Sequence, residues 1–236
     1  MMQGPQEHVV HEAKEKKPAK FGQTFGDGLN QLDIWYTEAT KPDESGFGAI
    51  VEARELALQM VRATVAALEA RNAIASKALA AHFGRLDIAK DTGPVKLVVE
   101  RYHAILRGLS APFTICLAKS PRMGKGARGL TSKRLRIHLN LAILGNHRLA
   151  LARTIVHEAS HAFAGLPGYE MEDGHATVEL YAHQKGYQNQ CADVAIDCAD
   201  SYAWAALSIY KGHLTRPWNL SEPDGFNDEV GCVKCG

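Results

Sequence analysis

The residues best equipped for chemistry are His157, Glu158 and His161, set in the stretch TIVHEASHAFAG with the spacing H-E-x-x-H. On a helix, positions i and i+4 lie one turn apart on the same side. Two imidazoles placed that way can share one zinc ion, and the adjoining carboxylate can take a proton from the water that such an ion activates. With 11 His among 236 residues, chance places this pattern in the chain only about 0.03 times. The helical phase also argues against two unrelated surface histidines. Leu149, Ala152, Val156, Ala159 and Phe163 form one apolar stripe, and His157 and His161 fall on the opposite side. Gly165 supplies a C-cap, and Pro167 stands where a helix cannot continue.

The bulk composition excludes several classes of partner. Lys and Arg total 27 against 26 Asp and Glu. So balanced a charge gives no footprint for nucleic acid or an anionic membrane. No apolar run reaches the ~18 residues of a membrane span. Residues 1–20 are polar and carry a lysine cluster at Lys14, Lys16, Lys17 and Lys20. They are expected to be a disordered basic tail. Lacking an apolar secretory core, the chain is expected to be cytoplasmic, or exported without a leader. Five cysteines spread over a long chain do not form a disulfide framework.

The elements that must position the histidines follow from periodicity. Residues 21–48 are rich in Gly and Asp, with Trp35 and Tyr36 expected to plug into a core. Residues 49–83 read as one long helix, stopped by Gly84, and residues 95–109 as a second. Residues 112–118 (PFTICLA) and 134–139 (RLRIHL) read as strands. Between them Gly124, Gly126 and Gly129 spell G-x-G-x-x-G, but a strand rather than a helix follows, so a basic hairpin loop is the better reading. The 134–139 strand immediately precedes the metal helix and could pair with an extended substrate backbone. Residues 175–185 suggest a further helix, and residues 191–210 a strong one. On the latter, Asp193, Asp197, Asp200 and Trp204 share a face. Such a row is usually solvated, yet a carboxylate behind a metal-bound histidine would fix its ring. A domain over residues 21–211 is expected. Residues 212–236 form a flexible tail ending in Cys232 and Cys235, a lone C-x-x-C.

A catalytic zinc takes three protein ligands and keeps one position for water. Ala164 and Pro167 stand where the metzincin extension would need its glycine and third histidine. Glu179 lies slightly short of the spacing at which a gluzincin places its glutamate. TIVHEASHAFAG, followed by Cys198-Ala-Asp-Ser-Tyr-Ala-Trp, resembles the aspzincin peptidases, the deuterolysin and lysine-specific metalloendopeptidase family. Their motifs run H-E-x-x-H, G-T-x-D-x-x-Y-G and N-A-D-S-x-x-x-F. The likeness spans roughly residues 153–206.

The resemblance implies an α+β, mostly helical, zincin-like metallopeptidase fold with a small strand region beside the H-E-x-x-H helix. It implies a zinc-dependent endopeptidase acting on protein or peptide substrates. His157 and His161 would be ligands, Glu158 the general base, and Asp200 the aspartate of the A-D-S motif, near the metal and the substrate pocket. The middle block departs from the family pattern. Gly165-Leu166 replaces G-T, Gly168 falls at the aspartate's position, and the acids come later, at Glu170 and Asp173. Asp173 is favoured as third ligand by residue type, then Glu170, then Glu179. Tyr169 or Tyr181 would take the place of the oxyanion-stabilising tyrosine. Lysine-specific members carry a second acid where this chain has Ala203, which argues against strict lysine specificity. Two alternatives remain: a gluzincin-type peptidase using Glu179, and a zinc-containing binding domain without activity.

Overall fold

Asp43 opens the first long helix by accepting a hydrogen bond from the Gly46 N–H at 2.7 Å. Before it, where composition suggested only an irregular stretch, the computed structural model shows two strands, β1 (Lys20–Phe25) and β2 (Leu32–Thr37). The structure describes residues 20–117, 129–131, 136–167 and 186–215. β2 alternates as a half-covered strand should, with Leu32 and Ile34 buried and Asp33 and Trp35 half-buried on the other face. Trp35 is therefore not a core plug. It lies on the outer face, with the Arg136 guanidinium 4.3 Å from its ring. Tyr36 does reach inward, edge-on to Phe47 at 5.4 Å.

The helix expected over 49–83 is two helices, α1 (Glu44–Glu69) and α2 (Ala73–His82). Arg71 takes φ 47° and Asn72 then caps α2 by accepting from the Ala75 N–H at 2.9 Å. Gly84, at φ +63°, packs against residues 191 and 192 so closely that a Cβ there would stand 2.5 Å from the Ala192 nitrogen. Helix α3 (Thr92–Leu109) begins earlier than expected, with Pro94 in its first turn, where a missing N–H costs nothing.

The two expected strands are present as β3 (Phe113–Leu117) and β5 (Ile137–Leu139), with a short β4 (Gly129–Thr131) between them in sequence. The sheet order is β1-β2-β3-β5-β4. β2, β3 and β5 run parallel, while β1 and β4 are antiparallel to their neighbours. A parallel β3–β5 pair excludes a simple hairpin between them. It also moves the sheet's outer position from β5, where it was expected, to β4. Ile34, Ile115 and Ile137 are fully buried and line up across one face.

A single turn, α4 (Leu141–Leu144), leads into α5 (Arg148–Ala164), which packs against α1, α3, α7, β4 and β5. The last helical region also divides, into α6 (Ala192–Ile196) and α7 (Ala199–Lys211). Arg101 of α3 holds the break. It donates to the Ile196 carbonyl at 2.6 Å and pairs with Asp197 at 2.8 Å. Among the described residues, no helix is long and apolar enough to cross a membrane. The expected 175–185 helix, residues 1–19 of the basic tail, and Cys232 and Cys235 lie outside the described residues.

Candidate metal centre

Helix α5 is covered on nearly every side. Ala152, Val156 and Ala159 of the apolar stripe are fully buried, and Leu149 and Phe163 pack half-buried at its ends. The opposite face is not open to solvent, as an amphipathic reading would have it. His157 is 7% exposed and Glu158 4%, because α7 and β4 close over them. Arg153, His157 and His161 succeed one another at one-turn intervals on α5, and the first two meet Asp200 and Trp204, themselves one turn apart on α7.

Both imidazoles are held from behind. His157 Nδ1 lies 2.8 Å from Asp200 Oδ1, a contact buried on both sides. His161 Nδ1 lies 3.3 Å from the main-chain oxygen of Leu166. That oxygen is in place because Gly165 ends α5 with a left-handed turn (φ 66°, ψ 27°), folding Leu166 back over the last turn. The partners are a carboxylate and a carbonyl, both acceptors, so each Nδ1 carries a hydrogen. The two ring centroids are 5.1 Å apart with planes at 75°. Two imidazoles one turn apart, each bonded through Nδ1, are a donor set that suits zinc.

The carboxylate of Asp200 has a second neighbour. Arg153 Nη1 stands 3.9 Å from Oδ1, and its guanidinium lies 4.4 Å over the Trp204 ring. Glu158 meets the edge strand, where Thr131 Oγ1 is 2.8 Å from its Oε2. Asp193 and Asp197 do not join this cluster. Both are exposed, and Asp197 is paired with Arg101. Asp173, Glu170, Glu179, Tyr169 and Tyr181 lie outside the described residues. Among the described residues, no group of three His, Cys, Asp or Glu is placed to hold a metal.

No protein-family description and no curated protein matches the sequence. Among solved structures, a zinc peptidase from Grifola frondosa matches the fold with a TM-score of 0.51 at 17% identity. The match covers 71% of this chain and 97% of that one. The chain has the fold of a zinc peptidase.

Within that zinc-peptidase fold, the mostly helical α+β architecture expected from the sequence is what the structure has. Three contributors at the site escaped the sequence reading. Arg153 was detectable as the residue one turn before His157. Thr131 and Gly129 sit on a three-residue strand with no pattern to announce it. Tyr187, on the chain's return after the third-ligand candidates, is no substitute for Tyr169 or Tyr181. It is fully buried, with its hydroxyl 3.2 Å from His82 Nδ1. Burial pushes its phenol well above the ordinary range, and Cys198 and Asp200 nearby add to the shift.

Proposed function

We propose that the chain is a zinc-dependent endopeptidase, hydrolysing peptide bonds in protein or peptide substrates with Glu158 as general base. The observation that supports this reading is the pair of Nδ1 contacts, His157 to Asp200 and His161 to the Leu166 carbonyl, the arrangement in which a neutral imidazole presents Nε2 to a metal. The zinc-peptidase fold supports it independently. His157 and His161 would hold the zinc ion, which would supply polarisation of a scissile carbonyl and a bound water whose pKa is lowered toward ~7. Asp173 completes the ligand set, with Glu170 and Glu179 the alternatives, and Tyr169 or Tyr181 donates to the developing oxyanion.

Glu158 removes the proton of the attacking water and returns it to the leaving amine. The substrate backbone pairs along the outer strand β4, the role first given to 134–139, because β5 lies between β3 and β4. Asp200 orients His157. Its charge is engaged by His157 and faces Arg153, so it is not free to select a cationic side chain, and cleavage is not restricted to lysine. The test is Glu158→Gln in the zinc-loaded protein. Zinc content stays at the wild-type level while kcat on peptides falls by about 10²–10⁴. A Gln variant that cleaves at the wild-type rate refutes the assignment.

A further inference from the structure

Glu158 has a long side chain with many rotamers, and a general base must sit still. An unrestrained glutamate loses rotamer entropy on being fixed, and a misplacement of about 1 Å can cost about 100-fold in rate. Something on this chain has to hold the carboxylate, and strand β4 does so at two points. Thr131 Oγ1 lies 2.8 Å from Glu158 Oε2 and also 2.8 Å from the main-chain oxygen of Glu158. Two residues earlier, Gly129 faces the same way. A Cβ built there would stand 2.4 Å from Glu158 Oε1 and 2.9 Å from both Cδ and Cγ. The period of two along a strand puts both contacts on the face toward α5, with Leu130 turned away.

The geometry points to Thr131 as a positioning residue for Glu158, with Gly129 supplying the space in which the carboxylate lies. The single hydroxyl proton is shared between the carboxylate and the main-chain oxygen of one helical residue, which keeps both close to one strand residue and leaves the carboxylate little room to swing. Any side chain at position 129 would displace the carboxylate. A hydroxyl both donates and accepts, so Thr131 stays bonded to Glu158 while the carboxylate carries a proton in transit. The strand is itself secured, because Gly129 and Thr131 pair with Leu139 and Ile137 of β5, which leads directly into α4 and α5. A substrate that adds to the outer side of β4 therefore docks on the strand that holds the base. Binding and base placement are coupled through three residues.

This inference rests on the peptidase reading for its kinetic readout, and on the strand–helix contact alone for its structural one. Zinc-loaded Thr131→Val, Thr131→Ser and Gly129→Ala are compared with wild type. Thr131→Val lowers kcat by about 10–100-fold while KM stays within about twofold and zinc content is unchanged. Thr131→Ser, which keeps the hydroxyl, stays within about threefold of wild type. In crystal structures of Thr131→Val and Gly129→Ala, the Glu158 carboxylate moves by about 1 Å or more while His157 and His161 stay. The positioning role is overturned by a Val variant with wild-type kcat, by a Ser variant as slow as the Val variant, or by an unmoved carboxylate in either structure. If wild-type holo-protein cleaves no peptide, the peptidase reading fails, and the carboxylate displacement still decides the positioning role. If Thr131→Val does not fold, Thr131→Ala, which removes the hydroxyl and adds no bulk, decides it by the same displacement.

Discussion

Removing the carboxylate of Asp200 should weaken zinc binding by an amount that follows from one contact. His157 Nδ1 and Asp200 Oδ1 are 2.8 Å apart, with both residues buried. A neutral buried hydrogen bond contributes about 1 kcal/mol net, and one to a charged acceptor about twice that. Losing about 2 kcal/mol of support for the liganding tautomer corresponds to roughly 30-fold in affinity, within the 10–100-fold typical of such outer partners. Asp200→Ala should therefore raise the zinc Kd roughly 30-fold. Asp200→Asn keeps an acceptor but drops the charge, loses about 1 kcal/mol, and should raise it about fivefold. The assay is competition for zinc against a chromophoric chelator near neutral pH. Far-UV circular dichroism confirms that each variant is folded. Arg153, buried and 3.9 Å from the same oxygen, loses its counter-charge, so Asp200→Ala also lowers the unfolding midpoint. The double variant Asp200→Ala/Arg153→Met separates the two effects, because it should recover stability without recovering affinity. A folded Asp200→Ala protein that binds zinc as tightly as wild type refutes the reasoning. An Asn variant with wild-type affinity removes the charge from the account.

Two further outcomes are expected. Asp173→Ala should leave the purified protein without stoichiometric zinc by elemental analysis. If zinc remains, the same measurement on Glu170→Ala and Glu179→Ala identifies the ligand. At alkaline pH the fold should weaken, because burial raises the pKa of the Tyr102, Tyr187 and Tyr202 phenols. Above about pH 10, the ordinary tyrosine value, the unfolded chain releases protons that the native phenols retain. The unfolded state then binds fewer protons, so stability is complete below that pH and falls by about 1.4 kcal/mol per pH unit for each such phenol above it. Urea midpoints at several pH values from 9 to 11 check this, and a flat series contradicts it.

What could be read from the residues alone was set by how far each one's partner lies along the chain. The α5 helix, its Gly165 cap and the paired histidines were legible because each depends on neighbours within about one turn. The breaks between α1 and α2 and between α6 and α7 were not. Apolar periodicity runs through both, and the second is held by Arg101, about a hundred residues away. β1 and β2 were hidden among Gly and Asp, since their alternation is worth little until β3 lies beside them. The site divides along the same line. Asp200 was visible through a helical row and a motif, although only the fold shows it turned to His157 rather than to solvent. Thr131 had no local mark, because its bond to Glu158 spans 27 positions and depends on an antiparallel strand of three residues. The third ligand hangs on a block where the motif itself changes, from G-T to Gly165-Leu166. The histidine pair is thus carried by one helix, α5, and backed by Asp200 of α7. Glu158 is met by a strand of only three residues, β4. Substitutions that spare zinc but abolish turnover should therefore cluster at β4 and its pairing with β5, and those that lose zinc should cluster on α5 and α7.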